Sequence, residues 1–241
     1  MKIVKVDATN STNSLAKEIN RSDNFQNFCV SAEYQTSGRG QKSSKWESER
    51  SKNLTFTIVY NNLQLQIKHQ FVLNALICLG IHKVLKSYHV ESLFLKWPND
   101  ILADQKKICG ILIENAISGS IIKTSYIGIG LNVNQQHFDN LNHASSLKNI
   151  LDKDVDRDQL LKDLINELND LPKHIHDSNP EVVLDQYKAR LYKFNTKSDF
   201  LINDSLVKGL IKDVDCSGRL NVDFIDGKTG KFQHKEISQV I

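Results

Sequence analysis

Two stretches carry side chains out of keeping with the apolar segments around them. After the strand-like Phe28-Cys29-Val30-Ser31-Ala32-Glu33-Tyr34 comes Gln35-Thr36-Ser37-Gly38-Arg39-Gly40-Gln41-Lys42-Ser43-Ser44-Lys45-Trp46. Glycines that free the backbone, among N–H, hydroxyl and guanidinium donors, are what a phosphate or carboxylate ligand requires. The loop is neither a P-loop nor a dinucleotide fingerprint, since Ser43 stands where the third glycine would be and no helical pattern follows. The second stretch is Lys96-Trp97-Pro98-Asn99-Asp100, with Lys106-Lys107-Ile108-Cys109-Gly110 close behind. Leu93-Phe94-Leu95 leads in as a buried strand and Ile111-Leu112-Ile113 leads out as another. Pro98 cannot donate to a ladder and biases Trp97 toward an extended backbone, so the chain turns there. Alone, lysines on a hairpin are ordinary; an Asn, an Asp and a lysine pair between two apolar strands are more than a turn needs.

Two weaker signals flank these. Asp7-Ala8-Thr9-Asn10-Ser11-Thr12-Asn13-Ser14 concentrates small hydrogen-bonding residues between a first strand, Ile3 to Val6, and a helical pattern from Leu15. One such residue caps a helix; several in succession can also present polar groups to a ligand at the helix's positive end. Ile127-Gly128-Ile129-Gly130-Leu131-Asn132-Val133-Asn134 places glycines in an apolar strand, a mark of close approach by another backbone or a ligand.

The remaining pattern supplies the scaffold. Asn53 to Tyr60 alternates as a strand, and Gln66 to Tyr88 has the apolar spacing of a long, largely buried helix. Ser118-Gly119-Ser120 turns a hairpin into Ile121 to Tyr126. Ser145 to Leu151 is helical, Leu160 to Leu171 marks one amphipathic helix closed before Pro180, and a last helix runs from Glu181 to Leu191. From Thr196 the chain changes to about five short strands punctuated by Asn203-Asp204, Ser217-Gly218 and Asp226-Gly227. Gly227-Lys228-Thr229 is a hairpin turn, because Val222 replaces the opening glycine of a nucleotide loop. The division is a domain of residues 1–192 and a small all-β domain of residues 193–241.

Composition excludes several classes. With 241 residues, 40% hydrophobic and 24% charged, the chain is an ordinary soluble globular sequence. A net charge of +3 with no basic block argues against nucleic acid. No signal-peptide core opens the chain, and the run Phe71 to Ile81, broken by Asn74, is too short to span a bilayer. Cys29, Cys78, Cys109 and Cys216 lack metal or redox spacing and are read as reduced thiols of a cytoplasmic protein. His174 and His176 have no third ligand nearby, so no metal site is assigned.

Taken together, Ser11-Thr12-Asn13, Gln35 with Gly38-Arg39-Gly40 and Trp46, Lys96-Trp97-Pro98-Asn99-Asp100 with Lys107 and Gly110, and Gly128-Ile129-Gly130-Leu131-Asn132 resemble the biotin–protein ligases (biotin–[acetyl-CoA-carboxylase] ligases). The resemblance covers nearly the whole chain. It implies an α/β (α+β) fold, a mixed sheet with helices like the class II aminoacyl-tRNA synthetase core, plus a C-terminal SH3-like barrel. With Ser11 so near the start, it implies a member without a winged-helix DNA-binding domain, hence no DNA partner. The implied reaction joins biotin to ATP as biotinyl-5′-AMP, then passes biotin to a lysine of a biotin carboxyl carrier domain. Mg²⁺ would screen the phosphates, and a homodimer is compatible.

By the same resemblance, Lys107, Arg39 and Asp100 carry the chemistry. A carboxylate must meet a phosphate there, so fixed cations have to offset the repulsion. Ser11, Thr12, Asn13, Gln35 and Gly38 would hold biotin, with Gly110 and Gly128 letting the backbone close over its ring. Gly40, Gln41, Trp46, Lys96, Asn99 and Asn132 would serve the nucleotide, Trp46 by helping the loop cover the adenylate. Asp100 would orient Lys107, the metal or the incoming lysine. Where some members carry more arginines after Gly-Arg-Gly, this chain has Gln41-Lys42-Ser43-Ser44, which bears on retention of the adenylate. The competing readings are a lipoate–protein ligase, which would need a longer apolar tunnel, and a non-catalytic biotin-binding regulator, which would not need Lys107 with Arg39.

Overall fold

A computed structural model describes residues 1–22, 26–41, 44–139 and 141–241. The chain opens with β1 (Lys2–Thr9), crosses through α1 (Thr12–Ser22) and returns as β2 (Asn27–Gln35), parallel to β1. β3 (Leu54–Tyr60) follows, then the two-residue β4 (Leu65–Gln66), a 3-10 turn over Ile67–His69 and α2 (Gln70–Ser87). Next come β5 (Leu93–Lys96), β6 (Asp100–Ala103), β7 (Lys106–Ser118) and β8 (Ile121–Leu131). Among the described residues these strands form one mixed sheet in the order β1-β2-β3-β8-β7-β6-β5, with β4 on β8. Helices α3 (Leu147–Leu151), α4 (Arg157–Asn169), α5 (Leu171–Asp177) and α6 (Pro180–Lys188) lead to a second sheet. Its strands β9 (Lys197–Ile202), β10 (Ser205–Val214), β11 (Leu220–Phe224), β12 (Thr229–Phe232) and β13 (Ser238–Gln239) are antiparallel, in the order β12-β11-β10-β9-β13.

Period-two alternation gives the main sheet two different faces. Phe56, Ile58 and Tyr60 of β3, Cys109 and Ile111 of β7, and Ile127, Ile129 and Leu131 of β8 join the large core. There they meet α2, whose Leu73, Ile77, Ile81 and Leu85 recur every fourth residue and are fully buried. Each such side chain contributes roughly 1.5–3 kcal/mol by leaving water. The intervening residues face α1 instead: Phe28, Val30, Val59 and Tyr126 pack with Ala16 in a smaller cluster. No helix among the described residues is long and apolar enough to cross a membrane.

The corner at Pro98 differs from the expected single turn. The Trp97–Pro98 peptide is cis, and Asp100 then starts a strand of its own, β6, paired with both β5 and β7. A second hairpin follows at Asp104-Gln105, whose φ values of 46° and 61° are both positive, as a two-residue turn between twisted strands requires. The carbonyl of Pro98 accepts from Asn74 Nδ2 of α2 at 2.8 Å and from the Tyr187 hydroxyl of α6 at 3.0 Å. Asn74, which interrupts the apolar run of α2, is thus spent on fixing the corner.

Two helices also differ. The expected helix from Leu160 to Leu171 ends at Asn169, and α5 starts again at Leu171. Pro172 has no N–H to offer the Leu168 carbonyl four residues back, and the Tyr60 hydroxyl donates to that carbonyl instead. The expected helix to Leu191 stops at Lys188 because the next residues cover the edge of β5: Leu95 N–H donates to the Arg190 carbonyl (2.9 Å) and Tyr192 N–H to the Leu95 carbonyl (2.7 Å).

The second sheet is fastened to the corner through Gly218, whose carbonyl accepts from Trp97 Nε1 at 3.0 Å. Gly218 has φ +85°, and a Cβ there would lie 2.5 Å from Phe71 Cδ2. Gly227 has φ +86° with nothing nearby. Gly218→Ala should therefore cost about 1–3 kcal/mol for the backbone plus a further packing cost, while Gly227→Ala carries the backbone cost alone. Urea unfolding of the two variants tests this; equal midpoints would show that Phe71 does not hold Gly218.

Candidate active site

The face of the sheet beside α1 has a bare floor. Gly110 of β7 pairs across the ladder with Gly130 of β8, and Leu112 with Gly128. Their neighbours Ile111, Ile127 and Ile129 point into the core. A Cβ at Gly128 would stand 2.5 Å from Asn13 Oδ1, and one at Gly130 would stand 2.6 Å from Trp46 Cζ2. Over this floor lies a cavity of about 200 Å³.

One wall is polar and hydrogen-bonded. Ser11, Thr12 and Asn13 are buried at the start of α1. Gln35, at the end of β2, accepts from the Thr12 N–H at 2.8 Å and from its hydroxyl at 3.2 Å. That N–H is one of the unpartnered donors of a helix's first turn, and a side chain from the neighbouring strand satisfies it. The Thr57 hydroxyl of β3 joins Asn13 Oδ1 (2.6 Å) to the Thr12 hydroxyl (2.8 Å). Asn13 Nδ2 donates to Glu114 Oε2 at 2.7 Å, so both ends of that amide are engaged.

The loop after Gln35 folds onto the floor. Trp46 N–H donates to the Gly38 carbonyl at 3.0 Å and Gly40 N–H to the Ser44 carbonyl at 2.6 Å. Gly38 lines a neighbouring cavity under the loop, where a Cβ would collide with the Trp46 carbonyl oxygen. Arg39 reaches back across the cavity: its Nη2 lies 3.3 Å from both Ser14 Oγ and Glu114 Oε2. The Trp46 indole rests on Gly110 and Gly130, and its buried Nε1 has no hydrogen-bond partner among the described residues. It covers floor rather than merely roofing it, and the remaining volume falls below the roughly 300–1,000 Å³ of ordinary ligand pockets. Lys42 and Ser43 lie outside the described residues.

The opposite wall is cationic. Lys107 Nζ is 2.7 Å from Asp100 Oδ1 and 5.6 Å from the centre of the Trp46 ring. Its backbone is held to one segment by two bonds: Lys107 N–H donates to the His143 carbonyl at 2.7 Å, and Ser145 N–H donates to the Lys107 carbonyl at 3.0 Å. Asn132 does not line the cavity; its buried amide donates to the Ser145 carbonyl at 2.9 Å, supporting the segment that pins Lys107. Asn99 borders the cavity but spends its side-chain N–H on the Ile111 carbonyl. Lys96 stands behind the wall, opposite Asp100 in the ladder. Burial first, and then the charge of Lys107, push its pKa below the ordinary lysine value against the pull of Asp100.

The structure thus gathers Ser11, Thr12, Asn13, Gln35, Arg39, Gly40, Gln41, Trp46, Asn99, Asp100, Lys107, Gly110 and Gly128 around one cavity. Gly38, Lys96 and Asn132 stand outside it. Sequence reasoning missed His234 and Lys235, which enter from the second sheet; nothing local marks them. It also missed Glu114 and Thr57. Thr57 was visible as the polar alternate of Phe56 and Ile58.

Residues 5–132 match the sequence profile described as the biotin/lipoate A/B protein ligase family. This chain belongs to that family. It is 31% identical over 138 residues to the bifunctional ligase/repressor BirA of Bacillus spizizenii, a match covering 57% of the chain and 42% of that relative, so the chain spans under half of that relative's length. It is 28% identical over 227 residues to the biotin–[acetyl-CoA-carboxylase] ligase of Mycobacterium tuberculosis, covering 92% of the chain and 82% of the relative. Its fold superposes on the biotin protein ligase of Aquifex aeolicus in complex with biotin and ATP, with a TM-score of 0.81 at 21% identity, over 99% of this chain and 98% of the other. The mixed sheet of this member of the biotin/lipoate ligase family is therefore the fold of those enzymes.

Trp46 and Trp97 are the two tryptophans of the chain, so Trp97→Phe leaves Trp46 as the sole indole reporter. In that background Gly130→Ala should expel the ring from the floor and move its emission to longer wavelength. An unchanged spectrum would mean that the indole does not rest on Gly130.

Proposed function

We propose that the chain is an ATP-dependent biotin–protein ligase, which makes biotinyl-5′-AMP and transfers biotin to a lysine of a biotin carboxyl carrier domain. The observation that carries this reading is the convergence of Arg39 and the Lys107–Asp100 pair over a glycine floor with a polar wall at one side. A carboxylate oxygen attacks the α-phosphorus of ATP, and the bond to the β-phosphate breaks to release pyrophosphate. Both partners are anions, so donors fixed in advance lower the barrier most where the charges converge. Lys107, held through its backbone and by Asp100, is such a donor. In the second step the acceptor amine attacks the acyl carbon and AMP leaves.

Asp100 serves in this scheme to orient Lys107, given the 2.7 Å contact. Ser11, Thr12 and Gln35 would meet the ureido head, and Asn13 would hold Thr57 and Gly128 in place behind them. Gly40, Gln41 and Trp46 would close over the nucleotide, and Gly38 would let the loop fold. Lys96, Asn99 and Asn132 would act through the corner rather than by touching ligand. Residues 1–192 would carry the reaction; residues 193–241, read as an SH3-like unit, would contribute His234 and Lys235. Among the described residues no group of three or more His, Cys, Asp or Glu could hold a metal ion. An Mg²⁺ ion would be held by the nucleotide's own phosphates.

Isotope exchange between pyrophosphate and ATP should require biotin. Exchange that requires lipoate instead would move the assignment to a lipoate ligase, and ligand binding without exchange would move it to a regulator. Lys107→Ala should slow adenylate formation by about 100- to 1,000-fold, the usual cost of removing one such donor. Biotin affinity by calorimetry should change far less, because the polar wall and the floor remain. A variant that adenylates at the wild-type single-turnover rate would show Lys107 to be a bystander.

A further inference from the structure

Glu114 continues the cavity-facing register of β7 beyond Gly110 and Leu112, and it meets three side chains, two from α1 and one from the loop. Its Oε1 accepts from Lys17 Nζ of α1 at 2.8 Å; its Oε2 accepts from Asn13 Nδ2 at 2.7 Å and from Arg39 Nη2 at 3.3 Å. Through Asn13 and Thr57 the carboxylate is joined to Thr12 and Gln35. Its side chain is 26% exposed. Burial alone would raise its pKa, but hydrogen bonds from Lys17 and Asn13, with the charges of Lys17 and Arg39, outweigh burial and hold it below the ordinary carboxylate value.

An exposed ion pair of this kind usually contributes little. Two features set Glu114 apart. The short contacts to Lys17 and Asn13 already neutralise and fix the carboxylate, so Arg39 is not needed for its satisfaction. The three charges sum to +1, so the cluster keeps a net positive charge for an incoming anion. Among the described residues only Nη2 of Arg39 is engaged, while a guanidinium carries five N–H donors.

We propose that Glu114 is a positioning residue for Arg39: braced by Lys17 and Asn13, it holds the guanidinium at the mouth of the glycine floor, where it meets the phosphates of the nucleotide. The proposal rests on the ligase reading for the identity of the anion. It places the polar wall and the loop cation on one hydrogen-bonded chain.

The test is a double-mutant cycle on the full chain with Glu114→Gln and Arg39→Ala. The readout is calorimetric affinity for an ATP analogue bearing a methylene bridge between the α- and β-phosphates, with biotin present. Glu114→Gln should weaken the analogue about tenfold, the coupling expected within one ion-pair network. Added to Arg39→Ala it should weaken the analogue no further. Biotin affinity alone should stay within about twofold, since Ser11, Thr12 and Gln35 remain. Independent, multiplying losses would overturn the proposal, as would unchanged analogue affinity in a folded Glu114→Gln. Should Glu114→Gln unfold, Lys17→Met takes its place: with its brace gone, the carboxylate claims more of Arg39, and analogue affinity should fall in wild type but not in Arg39→Ala. Equal falls in both backgrounds would overturn the proposal. Analogue binding that follows the cycle without biotin-dependent pyrophosphate exchange would end the ligase reading and leave Glu114 as the positioner of an anion clamp. No analogue binding by the wild-type chain would overturn both.

Discussion

The site depends on a constraint in the backbone of two paired strands. Between Cys109 and Leu131 the sheet must fill a core on one side and leave room on the other. β7 and β8 meet both demands by alternation: isoleucines at 111, 127 and 129 enter the core, while glycines at 110, 128 and 130 face α1. Glycine in a strand interior is destabilising, so the flanking isoleucines, nearly fully buried, must offset it. The space left is occupied by Asn13 against Gly128 and Trp46 against Gly130. A side chain at any of these glycines would be a defect in the site before it was a defect in the fold.

Charge is then arranged around that floor at fixed depth. Lys107 does not hang from a flexible loop; it lies in β7 between β6 and the segment from His143 to Ser145, and that segment is braced by Asn132. The corner before it is bonded by α2 and α6 through the Pro98 carbonyl. A lysine side chain is long and mobile, so this stiffness matters only if its charge has to be in one place when a second anion arrives. Arg39 sits on a loop held by its own backbone bonds, Trp46 N–H to the Gly38 carbonyl and Gly40 N–H to the Ser44 carbonyl, and its side chain is placed by Ser14 and Glu114. The two cations therefore differ in kind: one is carried by the sheet, the other by a loop.

How far the sequence reveals this follows the range of each interaction. The strands β2, β3, β7 and β8 and the long helix α2 were legible because their spacing is a local property, and the glycines at 128 and 130 announced a close approach that the structure supplies. The separate strand β6 was not legible, because four residues between a proline corner and a two-residue turn carry no periodicity of their own. The break between α4 and α5 was half visible in Pro172, but its reason lies with the Tyr60 hydroxyl, more than a hundred residues earlier. His234 and Lys235 could not be found at all: their place in the cavity is set by how the second sheet docks on Trp97 and Phe71. Glu114 sits in plain view at the end of an apolar strand, yet only the packing of α1 shows why an acid belongs there.

The polar wall also bears on which acyl group the site would accept. Ser11, Thr12, Asn13 and Thr57 are buried, and Thr12, Asn13 and Thr57 already bond to one another, Gln35 and Glu114, so a ligand gains there by bonding the capacity they leave over. A ureido ring offers a carbonyl and two N–H groups to such a wall. A dithiolane ring offers none, so it would gain nothing from that wall beyond its apolar contact with the floor. Sites built to hydrogen-bond a substrate discriminate against analogues lacking those groups far more sharply than apolar pockets discriminate by shape. Within a family that includes both biotin and lipoate ligases, the hydroxyls at the head of α1 and in β3, more than the cations that would carry the chemistry, would be the residues that favour biotin on the proposed reading.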